Sequence, residues 1–408
     1  MVVCFQKQCD KMLRIIRNKE DGIKELKRIG VNEKAIEIML PKLFGINIKL
    51  KDLAPQDAII LKQEMLNIGG DVAIAEETLP PYSKKTDVLI MGNKKQIIKL
   101  ASKIKRQYNR LANIGENIEK ILENIEKEQE IKIGNKIFKF GKRTYIMGIL
   151  NVTPDSFYDG GKYDKLEKAI ERARQMEKEG VDIIDIGGES TRPFSSPIDE
   201  KEEMNRVLPV IEALKNEIKV PLSIDTYKPR VAEKAIEKGV DMINDVFALR
   251  KEGMAEIARE FDVPVCIMHM KGEPKNMQMN PYYKDVMEEI YEFLKGRIEF
   301  AIKKGIDENK IIIDPGIGFG KRTGGGIEDN CEIIARLKEL KSLGRPILIG
   351  ISRKTFIGNI TKTSVEERLE GSLGAEAIAI ANGADILRCH DVLATKRMAT
   401  VVDAIVRK

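Results

Sequence analysis

From residue 144 to residue 408 the chain alternates short apolar runs with longer amphipathic ones, and this alternation constrains its fold more than any other feature. The short runs, at 144–152, 181–187, 221–226, 241–246, 264–269, 310–316, 346–351 and 386–390, read as strands. Between them, residues 165–179, 200–216, 229–238, 254–261, 283–304, 329–342 and 365–382 read as helices, and 392–406 follows the last strand. Eight strand–helix units over about 265 residues is the expected size of a (β/α)8 TIM barrel, an α/β fold. An open doubly wound sheet would use fewer strands and a phosphate-binding first turn. Gly180, Gly239, Gly305, Gly344 and Gly383 each follow an amphipathic run. A left-handed residue ends a helix at low cost there, and glycine adopts that conformation most readily.

Residues 1–128 follow another pattern. Helical stretches at 20–30, 33–40, 56–67, 94–111 and 116–128 mix with short strands at 47–50, 71–76 and 87–91, which predicts a smaller α+β domain. A linker at 129–143 contains a two-strand hairpin, 131–140, turning at Gly134-Asn135. It is placed to plug the N-terminal mouth of a barrel built from 144–408. Segment 94–110 carries Lys94, Lys95, Lys99, Lys103, Lys105, Arg106 and Arg110 with no acid. It reads either as a docking surface or, more simply, as a solvated helix face.

Composition narrows the function classes. Five cysteines at 4, 9, 266, 331 and 389 form no CxxC pair, which argues against a disulfide framework or a zinc site and fits a reducing cytoplasm. Asp10, Arg14 and Arg17 interrupt the first apolar runs, so these do not read as a signal peptide. No apolar run approaches the roughly 20 residues that span a bilayer, so no membrane partner is expected. The net charge is +6, and the excess sits in residues 1–140, with 27 Lys and Arg against 19 Asp and Glu. A nucleic-acid binder would not confine so small an excess to an accessory region.

In such a barrel the chemistry gathers where the strands end. The polar residues fall there with regularity: Asn151, Asp185, Asp225, Asn244 and Asp245, His269, Asp314, Ser352-Arg353-Lys354, and Arg388, His390 and Asp391. One carboxylate at a strand end is often a cap, but eight polar strand ends are not all caps. Residues 147–161 are the most informative stretch, because an apolar run delivers Asn151, Asp155 and Asp159 onto a Gly- and Pro-punctuated loop suited to a cation or a polar ligand. Both histidines of the chain, His269 and His390, fall at strand ends. Arg388 and His390 alternate and so share a face, a pairing that suits a phosphate or pyrophosphate. His269, between Met268 and Met270, reads equally well as packing. The glycines of Gly316-Ile317-Gly318-Phe319-Gly320-Lys321 do not form a P-loop, since Lys321 is followed by Arg322. They let backbone approach a flat ligand, with Phe319 as a stacking or edge contact.

Eight blocks, at 149–161, 185–193, 223–226, 243–246, 268–272, 314–321, 352–358 and 388–391, resemble the dihydropteroate synthase family in order and spacing, the first two being its signatures. The family fold is a (β/α)8 barrel. The resemblance implies joining of 6-hydroxymethyl-7,8-dihydropterin pyrophosphate to p-aminobenzoate, with Mg²⁺ contacted by Asn151. It implies a pterin pocket of Asp225, Asn244, Asp314 and Lys354. Thr191, Arg388 and His390 would lie on the pyrophosphate side, and Phe319 would meet the p-aminobenzoate ring. Asp225, Lys354, Asp155 and Arg192 are the residues expected to carry the chemistry. A cytoplasmic homodimer through the late barrel helices, around 376–381, is implied as well.

One departure bears on the acceptor. Phe194 stands where the family usually has glycine, in a loop that touches the acceptor, and residues 1–130 lie outside the common core. Two alternatives follow: the same condensation with a ribosylaminobenzene phosphate acceptor, and a pterin-binding methyltransferase serving a corrinoid partner. The second kind lacks the Ser-Arg-Lys and Arg-x-His set present here.

Overall fold

The computed structural model describes residues 31–78, 85–152, 162–190, 197–324 and 326–407, with a few positions between 23 and 29. Asp155, Asp159, Thr191, Arg192 and Phe194 lie outside the described residues, as does most of the helix expected at 20–30. The chain forms two compact units, Met1–Glu123 and Asn124–Lys408. Among the described residues no helix is long and apolar enough to cross a membrane.

The first unit is α+β. It runs α1 (Glu33–Met39), β1 (Gly45–Leu53), α2 (Pro55–Ile68), β2 (Asp71–Ile74), β3 (Thr86–Asn93), α3 (Lys94–Ile104) and α4 (Asn109–Glu126). The three strands form an antiparallel sheet in the order β1-β3-β2, and its inward residues Ile48, Val72, Val88 and Ile90 meet Leu61, Met65, Ile97 and Leu100. Asn93 and Gln96 close a reciprocal capping box that starts α3. Here the helical reading needs correction. A break was expected between 111 and 116, but α3 ends at Ile104 and α4 runs unbroken through Gly115. A Cβ on Gly115 would lie 2.8 Å from the carbonyl oxygen of Ala101, so this glycine allows α3 and α4 to cross closely instead of ending a helix. The break falls at 105–108, where Arg110 Nε reaches the buried Asp57 Oδ2 at 3.0 Å. The basic stretch is a solvated face with internal partners: Lys103 meets Glu64 and Lys105 meets Glu119, each at 2.6 Å.

In the second unit β4 (Glu130–Ile133) and β5 (Lys136–Lys139) form the expected hairpin, with Gly134 at φ +57. The barrel strands follow as β6 (Tyr145–Asn151), β7 (Ile183–Gly187), β8 (Leu222–Asp225), β9 (Met242–Asp245), β10 (Val265–Met268), β11 (Ile311–Asp314), β12 (Leu348–Ile349) and β13 (Ile386–Cys389). All pair in parallel in the order β11-β10-β9-β8-β7-β6-β13-β12, and a parallel bridge between Ile313 and Ile347 joins β11 to the start of β12, closing the ring. This is the eight-stranded TIM barrel.

The helices are α5 (Lys162–Glu179), α6 (Glu200–Glu217), α7 (Pro229–Glu237), α8 (Met254–Glu260), α9 (Val286–Lys303), α10 (Asp329–Arg336), α11 (Thr355–Thr361), α12 (Leu369–Ala381) and α13 (Val392–Val406). They pack on the outward strand residues, such as Ile184, Ile224, Ile243, Ile267 and Ile313. The five glycines expected to end helices all have positive φ, from +65 at Gly344 to +110 at Gly239. The helix expected at 329–342 is α only to Arg336 and continues as a 3-10 turn, Leu337–Leu343, and the short α11 was not anticipated. The hairpin plugs the barrel floor, where Ile131, Ile133, Phe138 and Phe140 join the first inward residues of the strands, among them Met147, Ile183, Met242 and Ile312.

Candidate active site

Two residues beyond the floor layer, inward positions turn polar, because strand side chains alternate and the next inward position lies about 6.5–7 Å higher. Strand register aligns three of them with one glycine. Asn151 pairs with Gly187, Gly187 with Asp225, and Asp225 with Asn244, so one row crosses β6, β7, β8 and β9. Gly187 leaves this face open, and even a Cβ would meet its neighbours only at ordinary van der Waals distance. A Cβ there would lie 3.5 Å from Asn151 Oδ1 and 3.8 Å from Asp225 Oδ2.

The row is tied to β13 by Arg388. Its Nε donates to Asp185 Oδ2 (2.6 Å) and its Nη2 to Asp225 Oδ2 (2.7 Å), while Asn244 Nδ2 donates to the same Asp185 oxygen (3.0 Å). One guanidinium serves two buried carboxylates. Asp225 is consequently pushed up, first by burial and then by Asp185 and Glu203, against the pull of Arg388 and Lys354. Burial by itself would lower Arg388, but the carboxylates outweigh it and hold the guanidinium firmly charged. Asp185 Oδ1, Ser223 Oγ and Asp225 Oδ1 are buried and have no hydrogen-bond partner among the described residues. Buried unpaired oxygens are costly, so they mark a place where a ligand can supply donors.

Asp314 closes β11. Its Oδ1 accepts from Gly316 N (2.6 Å), and burial raises it to about 6 in spite of that bond and of the nearby Lys354 and Arg388. Lys354 stands at the N-cap of α11 with its ammonium 4.4 Å from the centre of the Phe319 ring. Arg353 before it takes a left-handed backbone (φ +56) and grips Asp391 through Nε and Nη2 at 2.8 and 2.9 Å. That strained turn aims Lys354 at the strand ends. His390 follows β13 with Nδ1 3.1 Å from Ser352 Oγ.

The structure thus brings Asn151, Asp225, Asn244, Asp314, Phe319, Lys354, Arg388 and His390 to the C-terminal ends of the strands, while Asp155, Thr191 and Arg192 fall outside the described residues. The sequence marks Asp185 only as a strand end, yet it is the hub of the Arg388 and Asn244 bonds. The alternation Asp185, Gly187 was its one signal. A second arrangement had no signal at all. Lys228 Nζ sits between Glu189 and Glu203, 2.6 Å from Glu203 Oε2, and the Tyr227 hydroxyl donates to Glu189 Oε1 (2.9 Å), which anchors the loop after β7. His269 proves to be packed, edge-on to Phe293 at 5.0 Å.

Residues 147–390 match the family of pterin binding enzymes. A dihydropteroate synthase of Clostridium beijerinckii is 47% identical over 280 residues, which is 68% of this chain and 100% of that protein. The chain belongs to the dihydropteroate synthase family. A solved dihydropteroate synthase of Clostridium difficile, in the presence of pteroic acid, is similar with a TM-score of 0.62 at 50% identity over 66% of this chain and 100% of that one. The Xanthomonas albilineans synthase with 4-aminobenzoic acid gives 0.64 at 43% identity, over 68% and 98%. This synthase is therefore a pterin-binding transferase of folate biosynthesis, and its first unit lies outside the region the family shares.

Mg²⁺ can be tested against the donors present. Among the described residues no three carboxylate, cysteine or histidine groups converge to hold a metal. Asn151 offers one half-buried amide oxygen at the end of β6. That donor set fits Mg²⁺, which keeps several waters and shares phosphate oxygens, and does not fit a caged structural ion.

Proposed function

We propose that the synthase joins 6-hydroxymethyl-7,8-dihydropterin pyrophosphate to p-aminobenzoate with Asp225, Asn244, Asp314 and Lys354 holding the pterin and Arg388, His390 and Thr191 facing the pyrophosphate. The observation that carries this reading is the row of Asn151, Asp225 and Asn244 with its unpaired Asp185 and Asp225 oxygens. A pterin edge presents adjacent N–H donors, and a carboxylate accepts two such bonds at once. Asp314 and Asp225 suit that edge.

As the bond from the exocyclic methylene to the pyrophosphate oxygen breaks, the electron pair leaves with pyrophosphate and positive charge spreads into the pterin ring. Anionic Asp225, already positioned by Arg388, stabilises that charge without reorganising. Lys354 and the remaining donors of Arg388 and His390 meet the opposite charge on the leaving group. Asn151 would contribute the protein oxygen to Mg²⁺, which when bound neutralises the pyrophosphate. The arylamine attacks through its free lone pair, so no strong base is needed, and Phe319 supports its ring. In this reading Asp155 and Arg192 complete the catalytic group.

The synthase is placed in the cytoplasm as a homodimer. Supporting the latter, α12 and α13 leave Ile378, Val401 and Ile405 at 53, 61 and 64% exposure. Sedimentation at a single mass of one chain would remove this part of the reading.

Turnover with p-aminobenzoate and with the ribosylated aminobenzene phosphate, each in Mg²⁺ and in excess chelator, tests the proposal. We expect pyrophosphate release with p-aminobenzoate that chelator abolishes. Preference for the ribosylated acceptor would reassign the acceptor, and full activity in chelator would remove the metal.

A further inference from the structure

The loop 316–321 after β11 is held by side chains. Gln278 Nε2 donates to Gly318 O (2.7 Å), the Tyr283 hydroxyl to Gly320 O (2.6 Å), and Asn330 Oδ1 accepts from Gly318 N (2.8 Å). The loop lies flat on the end of β10. A Cβ on Gly316 would fall 1.9 Å from His269 O, and one on Gly320 would fall 2.2 Å from Lys271 O. Lys321 completes the set. It is fully buried, and its Nζ donates to Gly316 O (2.8 Å) and Phe319 O (2.9 Å) and lies 3.0 Å from His269 Nδ1.

A buried ammonium is expensive unless every N–H is used. Here three donors meet three acceptors when the imidazole proton sits on Nε2. Among the described residues no carboxylate touches Lys321. Burial lowers it to about 7, with Lys354 and Lys271 adding repulsion and Asp314 and Asp329 opposing the shift. Methionine would fill the same space without that cost, so filling space is not a reason for a lysine. What the lysine does is fix two carbonyls, one on each side of Gly318. The ring of Phe319 is carried by that segment, and the Lys354 ammonium, held from α11, lies 4.4 Å from its centre.

We propose that Lys321, braced on His269, is a positioning residue for the transfer reaction: it clamps the carbonyls of Gly316 and Phe319 and so holds the Phe319 ring as the shelf that presents the arylamine to the pterin. This rests on the reading of Phe319 as the acceptor contact. Asp225, Asn244 and Asp314 stand at strand ends and Lys354 is held by the Arg353 turn before α11, so the pterin subsite does not depend on the clamp. Losing the clamp therefore raises KM for p-aminobenzoate and leaves pterin affinity nearly intact.

The chain contains no tryptophan, so Phe319→Trp makes a sole indole reporter on the shelf. Lys321→Met should lower the fluorescence anisotropy of that indole. In the otherwise native chain it should raise KM for p-aminobenzoate about tenfold, equivalent to about 1.4 kcal/mol, with pterin pyrophosphate Kd within about threefold. His269→Leu should move both readouts the same way by less, and His269→Asn, which restores an acceptor near Nδ1, should return them toward the parent. Should Lys321→Met fail to fold, the His269 pair decides alone, and identical anisotropy in Leu and Asn variants overturns the proposal. Parent-like KM in Phe319→Ala would overturn the acceptor reading beneath it. A raised KM in Phe319→Ala beside parent-like KM and anisotropy in Lys321→Met overturns the clamp itself.

Discussion

The floor and the mouth of the barrel are built from the same strands and obey opposite rules. On the floor, Phe138 meets Tyr145 at 4.7 Å between ring centres and Phe140 meets it at 5.5 Å, and the one polar group, the Tyr145 hydroxyl, accepts from Lys139 N at 2.8 Å. These three rings are packed and that hydroxyl is satisfied. Two residues up four of the strands, Ile183 gives way to Asp185, Met242 to Asn244, Ile312 to Asp314 and Ile386 to Arg388. At that level carboxylates outnumber the guanidinium they share, and buried oxygens go unpaired. The floor stabilises the fold, whereas the mouth costs stability and is explained only by what it binds.

The largest expected effect breaks the floor and spares the mouth. Phe138→Ala should lower unfolding free energy by about 3–5 kcal/mol in a urea titration. Calorimetry on the folded variant should give parent-like pterin pyrophosphate affinity, and a large loss would show that the two layers are coupled. Next, Asp314→Asn breaks the mouth and spares the floor. The amide keeps an oxygen for Gly316 N but turns a donor toward the pterin edge. Binding should weaken by about 1.5–3 kcal/mol, roughly tenfold to a hundredfold, with an unchanged or raised melting temperature. Lys354→Met should weaken binding without unfolding the chain. Parent-like affinity in both variants would defeat the site assignment.

A pH series sharpens the contrast with a smaller effect. Asp314 is raised from 3.8 to about 6 in the folded chain. The folded state therefore binds this proton more tightly than the unfolded one, so its contribution to stability is full below about 3.8 and is lost as pH rises through about 6. Binding runs the other way, because a protonated Asp314 accepts poorly. Pterin affinity should fall as pH drops through about 6 while this contribution to stability grows, and Asp314→Asn should flatten both slopes. Smallest of all, a chain starting at Glu128, which keeps the hairpin, should turn over like the parent. A folded but inactive product would give the first unit a part in catalysis.

The eight strands were legible because each is a short apolar run followed by an amphipathic one, and five of the amphipathic runs end in glycine. Asn151, Asp225, Asn244 and Asp314 were legible because polar residues at strand ends repeat around the ring. The break between α3 and α4 was misread, since Gly115 resembles a helix stop when its neighbour, Ala101 O, is unseen. The hub role of Asp185 was missed because Arg388 lies 203 residues away. The partner of His269 was missed in the same way, with Lys321 52 residues away.

By itself the sequence determined the barrel, its hairpin plug and the identity of the polar groups at the strand ends, because periodicity and helix stops are local properties of the chain. Tertiary structure alone decided which carboxylates share Arg388, which lysine is buried on His269, and where Asp225 and Asp314 titrate. Those depend on register and burial, and both exist only once strands distant in sequence have closed into a ring.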